Sequence, residues 1–208
     1  MAEFSGGNYK HAWDLYRERY GTMLPQSQII NWTLYDTLTY TSGTTTLLTY
    51  FNAIRATRNL GNMEVASVIP HPKAFIIRAI GVRPLRNTVL ATTAADAFND
   101  LKLLVDNGWF VLTIGNKEYG VWTLDRLPGG GGVWADSAGA GGEATDEFIS
   151  HAEHGIPSAQ NMYTLSQPLL IDPNINFNVT LNWAAAQTLT ADANIRVYLD
   201  GEMIRPVQ

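Results

Sequence analysis

Cysteine is absent from this chain of 208 residues. The sequence therefore excludes a disulfide framework, a thiolate metal site and a cysteine nucleophile. Long apolar runs are also missing, so no segment is predicted to span a membrane. The first residues lack both the basic and the apolar stretch of a secretion signal. These absences predict a protein that is made in a cytoplasm and is held together by its core alone.

Charge is scarce as well. Charged residues make up 16% of the chain, against about 25% in an ordinary soluble domain, while apolar residues make up 46%. A folded protein with so few charges has little free surface or uses much of it for contacts, which favours an assembly subunit. The net charge of −5 argues against nucleic-acid binding over the whole surface.

The charges are unevenly distributed along the chain. Residues 51–90 contain six basic side chains and one acid, whereas residues 91–208 contain five basic and fourteen acidic side chains. Only the earlier segment could therefore present a basic surface. Scattered, solvated charges are the simpler alternative.

Alternation of apolar and polar residues predicts most of the secondary structure. Residues 29–41 place Ile30, Trp32, Leu34, Leu38 and Tyr40 on one side of a strand. Both Trp32 and Trp183 lie on the apolar side of their strands and are expected in the core. Further strands are predicted at 44–51, 73–83, 109–114, 119–124, 163–171, 174–183 and 195–199. The strand at 73–83 is expected to end before Pro84, and Asp200-Gly201 predicts a tight turn into residues 203–207.

Two helices are predicted. Residues 8–20 carry Tyr9, Trp13, Tyr16 and Tyr20 at helical spacing on one face. An interior helix begins after Thr92 or Thr93 and ends at Asn107-Gly108. Its apolar stripe consists of Ala94, Ala97, Phe98, Leu101, Leu104 and Val105.

The order of these elements favours one fold class. Strands do not alternate with helices, and no repeat of fixed period is present, which argues against a parallel α/β sheet and against propellers. The sequence predicts an all-β protein: a single jelly-roll β-sandwich with one interior helix and a short N-terminal helix. Residues 1–28 form the N-terminal arm and residues 29–208 the jelly-roll domain. The glycine-rich segment 125–147 is predicted to be a long, flexible loop inside that domain.

Motifs for chemistry are largely missing. No serine lies in a Gly-x-Ser-x-Gly motif, and the glycine run at 129–132 lacks the lysine of a phosphate-binding loop. His151 and His154 would share a face with Glu147 if this segment were helical, but a structural metal site needs more ligands. The sequence predicts no catalytic, cofactor-binding or metal site and no small-molecule substrate, and thus no enzyme. An enzyme with a cupin-like metal site at His151 and His154 is the alternative.

Exposed aromatic residues are the candidate contact residues. Trp134 lies between glycine runs, where an apolar side chain on a flexible loop is a candidate contact. Tyr9, Trp13 and Tyr16 must bury their shared face against something. We expect subunit contacts at these four positions; packing against the domain's own core is the alternative.

Three segments together carry a resemblance to a known family. These are a threonine-rich strand running into residues 42–51 (SGTTTLLTYF), a late strand at 174–183, and a final strand at 195–201 (IRVYLDG). In organisation, residues 29–200 resemble small jelly-roll capsid proteins of icosahedral, tailless bacterial viruses. The resemblance implies a structural virion protein whose N-terminal helix tethers neighbouring subunits. The chain departs from many capsid proteins because the three basic residues of its arm are balanced by three acids.

The resemblance also sets the expected partners and the alternative function. The capsid hypothesis implies self-assembly into an icosahedral shell, located in the virion and made in the host cytoplasm. Its partners are copies of the chain and other virion proteins, with the genome or an inner membrane as a further partner on one face. The alternative is a jelly-roll carbohydrate- or receptor-binding module, for which Trp134 with Asp136 is the candidate platform.

Overall fold

The computed structural model describes residues 27–86, 94–127, 134–138, 149–153 and 162–206. These residues form ten strands, one α-helix and a short 3₁₀ turn at Leu124–Arg126. The strands are β1 (Ser27–Tyr40), β2 (Leu47–Tyr50), β3 (Ala74–Arg86), β4 (Gly108–Ile114), β5 (Lys117–Thr123), β6 (Trp134–Ala138), β7 (Ile149–Glu153), β8 (Tyr163–Ile171), β9 (Phe177–Trp183) and β10 (Ala193–Pro206). The helix, α1, spans Ala94–Asp106.

Eight of the strands form two antiparallel sheets. Sheet A has the order β1-β10-β3-β8, and sheet B has the order β2-β9-β4-β5. The remaining pair, β6 and β7, forms a separate two-stranded sheet. Consecutive strands mostly cross from one sheet to the other, so the chain wraps around a core that both sheets share.

The core is built from the alternation that the sequence predicts. Phe177, Val179, Leu181 and Trp183 of β9 are all buried, and the residues between them face away from the core. Burying each such side chain contributes about 1.5–3 kcal/mol. The ring centroids of Trp183 and Tyr40, from opposite sheets, lie 4.7 Å apart. The predicted all-β sandwich with one interior helix is confirmed.

Helix α1 packs on this core through the predicted stripe. Leu101 and Leu104 are buried, and Val105 packs against the core cluster. The indole Nε1 of Trp183 donates to the carbonyl oxygen of Leu104 at 3.0 Å, so the helix is joined directly to sheet B. The predicted N-terminal helix over residues 8–20 lies outside the described residues.

The prediction that a strand ends before Pro84 is wrong. β3 continues through Pro84, which pairs with Ile195 of β10. The backbone N–H of Val82 points away from β10 and donates to the carbonyl oxygen of Leu127 at 2.8 Å. Pro84 lies two residues further on, so its nitrogen faces the same side, beyond the part of β3 that pairs with β8. Proline is tolerated there because the strand pairing needs no donor on that side.

The predicted turn at Asp200-Gly201 is also wrong. β10 runs without interruption from Ala193 to Pro206, and a β-bulge lies between Asp200 and Gly201. A Cβ on Gly201 would come within 1.7 Å of the carbonyl oxygen of Ile76. The glycine is required because the two backbones approach closely, which is a common role of glycine inside a strand.

Part of the predicted flexible loop at 125–147 has regular structure. Its first residues belong to the 3₁₀ turn, and β6 pairs with β7 in a register that joins Trp134 to Glu153. Since β7 is a strand, the helical arrangement considered for His151 does not occur. His154 lies outside the described residues.

Candidate functional site

A groove at the free edge of sheet A brings together arginine, aromatic and amide side chains. It has a volume of about 630 Å³ and is open to solvent. Its walls are Asn31, Trp32, Thr33, Tyr35, Arg58, Asn62, Arg78, Asp200 and Gly201. These residues come from β1, β3, β10 and the loop between β2 and β3, so the groove exists only in the folded chain.

The loop that carries Arg58 is fixed along the outer edge of β1. The side-chain oxygen of Asn62 accepts a hydrogen bond from the backbone N–H of Tyr35 at 2.9 Å, and its side-chain nitrogen donates to the carbonyl oxygen of Thr33 at 2.7 Å. The backbone N–H of Asn62 donates to the carbonyl oxygen of Tyr35 at 3.2 Å. These bonds satisfy the free edge of β1 and hold one wall of the groove in position.

A buried ion pair anchors the same loop from the inside. Asp36, which is 1% exposed, accepts two hydrogen bonds from Arg55, at 2.5 Å and 2.7 Å. The carboxylate also accepts the backbone N–H groups of Thr37 at 2.9 Å and Phe51 at 2.7 Å. Hydrogen bonding to Asp36 raises the pKa of Arg55 above its ordinary value. Three of these four contacts, those from Arg55 and Phe51, join the start of the loop to β1 around one carboxylate.

Arginine and tyrosine side chains alternate on the outer face of sheet A. Arg196 of β10 lies opposite Arg83 of β3, and two residues further along β10, Tyr198 lies opposite Tyr35 of β1. The guanidinium carbon of Arg196 lies 5.6 Å from the centroid of the Tyr35 ring, a cation–π distance. The Tyr35 hydroxyl donates to the carbonyl oxygen of Arg58.

Two of these arginines have an unused buried donor. The Nε atoms of Arg78 and Arg83 are inaccessible to solvent and have no hydrogen-bond partner in the described part of the chain. Arg78 is partly neutralised because its Nη2 donates to Glu202 at 2.9 Å. Arg83 makes no ion pair with the described residues. An unpaired buried N–H costs about 1–3 kcal/mol.

The outer face of sheet B has the opposite character. Its outward residues on the four strands carry no charge until Lys117 and Glu118 at the far end. They are Leu47, Thr49, Trp109, Val111, Thr113, Val121, Thr123, Asn178, Thr180 and Asn182. Leu47 and Val121 are more than half exposed. This combination of exposed apolar and neutral polar groups is typical of a contact surface.

A second, smaller cavity lies at one end of the sandwich. It has a volume of about 50 Å³ and is lined mainly by apolar side chains such as Ile30, Leu34 and Met203. Lys73 and Glu64 lie at its rim and form an ion pair at 2.6 Å. Arg205 also lines this cavity and donates only to the neutral side chain of Gln28, so one positive charge remains among the lining residues.

The residues predicted as subunit contacts lie mostly beyond the described structure. Tyr9, Trp13 and Tyr16 fall outside the described residues. For Trp134, the backbone is described, on β6, whereas its side chain is not. The contact role of all four residues stays a prediction.

Trp32 is the residue whose surroundings differ most from expectation. It was predicted in the core but is 39% exposed, and it borders both the groove and the apolar cavity. β1 is an edge strand, so an inward-facing side chain near its end can reach solvent. Trp183 is buried as expected.

Asp36 is the residue that sequence reasoning missed. It occupies the apolar side of β1, between Leu34 and Leu38, where an acid interrupts the pattern. Such an interruption signals a buried partner, although it does not identify Arg55 as that partner. Within the described residues, no group of His, Asp or Glu side chains could hold a metal ion, and no helix has the length and apolar character to cross a membrane.

Comparison with known proteins identifies no relative. No family model, curated protein or solved structure matches the chain.

Proposed function

We propose that the chain is a structural virion protein, a capsid subunit that self-assembles into an icosahedral shell. The observation that carries the proposal is the order of the strands in the two sheets. The role is structural and needs no catalytic residue. Its partners would be copies of the chain and other virion proteins, after synthesis in the host cytoplasm.

The strand order supports a jelly roll. Counted along the chain, the eight sandwich strands pair first with eighth, second with seventh, third with sixth and fourth with fifth. This is the pairing of one long hairpin, and the contacts β10–β3 and β9–β4 roll that hairpin into two sheets. In this reading β6 and β7 are an insertion between the fifth and sixth strands. Jelly rolls of eight strands are the fold of many viral capsid proteins and of lectins.

The neutral face of sheet B favours assembly between copies of the chain. A second copy could pack on this face without removing any charge from water, which is the main penalty at a polar interface. Val111 of β4 lies beside Val121 of β5, and Trp109 lies beside Asn182 of β9, so apolar and amide groups are mixed. Apart from Lys117 and Glu118 at its far end, the face carries no charge, and such a surface is also compatible with itself, as symmetric contacts between identical subunits require.

Light scattering coupled to size exclusion, with negative-stain microscopy of the same fractions, tests the proposal. The chain is expected to form closed oligomers or shells as its concentration rises. Val121→Lys places a charge on the neutral face and should shift assembly to higher concentration by about tenfold, because an unpaired charge in an interface costs over 1 kcal/mol. Leu103→Lys, on the exposed side of α1 at 38% exposure, adds the same charge elsewhere and should assemble normally.

A monomer at every concentration and salt tested would contradict the capsid role. Equal loss of assembly in both variants would contradict the assignment of the contact to sheet B.

The second candidate is a jelly-roll carbohydrate- or receptor-binding module. It is favoured by the exposed indole of Trp32 beside Asn31, Asn62 and Asp200 in the groove. The platform of Trp134 with Asp136 stays a prediction, since their side chains lie outside the described structure. A glycan array tests it: binding that disappears in Trp32→Ala, with folding unchanged, would support this function. An array without signal would remove it.

A further inference from the structure

We infer that the outer face of sheet A binds single-stranded nucleic acid through its phosphate groups. The face brings Arg58, Arg78, Arg83 and Arg196 together around two tyrosines. The inferred phosphate binding does not depend on the proposed function. Only the identification of the bound polymer as a packaged genome rests on the proposed function.

The unpaired arginine donors are the first reason. Arg58 is exposed and its guanidinium makes no hydrogen bond with the described residues, and Arg83 makes no ion pair with them. The Nε atoms of Arg78 and Arg83 have no accessible surface, so a phosphate would contact the terminal nitrogens of these side chains. Arg83 lies directly opposite Arg196, so two like charges occupy neighbouring positions on adjacent strands. Arg196 donates from Nε to the Thr37 hydroxyl at 2.8 Å and from Nη2 to the carbonyl oxygen of Asn59 at 2.6 Å, but no acid among the described residues neutralises its charge. Like charges at such positions are destabilising, and an anion close to both relieves the repulsion.

The position of the aromatic residues is the second reason. Tyr35 and Tyr198 lie side by side on β1 and β10, next to the Arg83–Arg196 pair. The Trp32 indole is exposed at the neighbouring groove. Proteins that bind single strands combine arginines for the backbone with aromatic rings for the bases.

The balance of charge favours this partner over a neutral glycan. The four arginines of this face outnumber its two acids, Asp200 and Glu202. Glu202 is paired with Arg78, whereas Asp200 accepts only the neutral hydroxyl of Thr33 and keeps its charge. The unused groups are cationic donors, which a neutral sugar does not need. The basic residues of the segment 51–90 fall into two groups. Arg55 and Lys73 form ion pairs with Asp36 and Glu64, respectively. Arg58 and Arg83 form no ion pair with the described residues.

Fluorescence anisotropy with a labelled 20-nucleotide oligo-dT tests the inference on unassembled protein at low and moderate salt. We expect the logarithm of the association constant to fall linearly with the logarithm of the salt concentration, with a slope of about −0.7 for each phosphate contact. Arg83→Gln and Arg58→Gln should each weaken binding about fivefold or more and reduce the salt slope by about 0.7. Lys117→Gln removes the same charge from an exposed position on sheet B and should leave binding within about twofold.

The two arginine variants protect the test against misfolding. Arg83 is partly buried, whereas Arg58 is exposed, so Arg58→Gln should fold even if Arg83→Gln does not. Circular dichroism and thermal unfolding of each variant check this. If the protein is fully assembled, the same series is made in the Val121→Lys background.

The outcomes separate this inference from the proposed function. Absence of binding up to about 1 mM protein, the range beyond weak non-specific binding, would overturn the inference. An equal loss in Lys117→Gln would also overturn it, as would binding of inorganic phosphate, a sulfated glycan or anionic phosphatidylglycerol vesicles without binding of the oligonucleotide. A chain that binds the oligonucleotide but never assembles would contradict the capsid role alone, and a chain that assembles without binding would contradict the inference alone.

Discussion

Asp36 and Arg55 form a two-point ion pair on the inner side of β1, with Nε at 2.5 Å from one carboxylate oxygen and Nη2 at 2.7 Å from the other. The carboxylate is 1% exposed, while the arginine side chain is 18% exposed. One end of the pair is therefore in the core and the other reaches the surface. The pair fixes the loop between β2 and β3, which forms one wall of the groove at the free edge of sheet A.

Replacing Asp36 by alanine should lower the free energy of unfolding by about 3–5 kcal/mol, because the variant leaves Arg55 and two backbone N–H groups without their acceptor. Denaturation by urea, followed by tryptophan fluorescence, measures the loss. Lys73→Ala, which breaks the exposed pair with Glu64, is the matched control and should cost less than about 1 kcal/mol. Equal effects of the two substitutions would contradict the structural role of the buried pair.

Tyr50 should make the protein less stable at alkaline pH. Burial raises the pKa of the Tyr50 hydroxyl well above its ordinary value of 10.0, and the nearby negative charge of Asp36 raises it further. The unfolded chain loses this proton near pH 10, while the folded chain keeps it. Stability contributed by Tyr50 is thus fully present below pH 10 and falls above it, by about 1.4 kcal/mol per pH unit, until the folded pKa is reached.

Tyr50→Phe should flatten this dependence, since phenylalanine has no proton to lose. The variant gives up the hydrogen bond from the hydroxyl to the carbonyl oxygen of Ile195, at 3.1 Å, so it starts from a lower stability at neutral pH. Urea denaturation at pH 8, 10 and 11 compares the slopes. Identical slopes in both proteins would show that other groups govern the alkaline transition.

Gly201→Ala should be strongly destabilising, because the new methyl group would overlap the carbonyl oxygen of Ile76 at 1.7 Å. The central pairing of sheet A would have to move apart, and we expect a loss above about 3 kcal/mol, in the range of severe packing defects. Gly43→Ala is the control: this glycine has φ of +69° but open space around it, so the cost is about 1 kcal/mol of backbone strain. Thermal unfolding of the two variants distinguishes overlap from strain, and a milder effect at Gly201 would refute the close approach.

Trp183→Phe should weaken the connection between α1 and sheet B. The substitution removes the donor to the Leu104 carbonyl oxygen and leaves space beside Tyr40. The combined loss is expected at about 2–4 kcal/mol. Hydrogen exchange should show faster opening in α1 than in β3. If protection of the helix stays unchanged, the helix is held by its apolar stripe alone.

Much of the fold could be predicted from local pattern. The alternation in β1 and β9 and the helical stripe of α1 identify these elements, because each records which side of a segment is buried. A local signal is misleading where the strand that pairs with the residue decides the outcome. In isolation, Pro84 and Gly201 look like residues that interrupt a strand. Pro84 fits β3 because no backbone donor is needed at its position, and Gly201 fits β10 because β3 comes too close for a side chain.

The candidate site could be predicted only in part. The excess of basic residues between positions 51 and 90 indicated a basic surface, but not which of them are neutralised within the fold. Asp36 forms an ion pair with Arg55, which lies 19 positions away in the sequence. Arg83 lies opposite Arg196, which belongs to a strand near the other end of the chain.

The sequence by itself determined the β character, the interior helix and the low charge, because these depend on composition and on the period of each segment. Only the tertiary structure decided which strands share a sheet, which arginines meet, and that one face is neutral while the other is basic. Strand pairing joins residues more than 100 positions apart, and its free energy depends on contacts that no single segment contains.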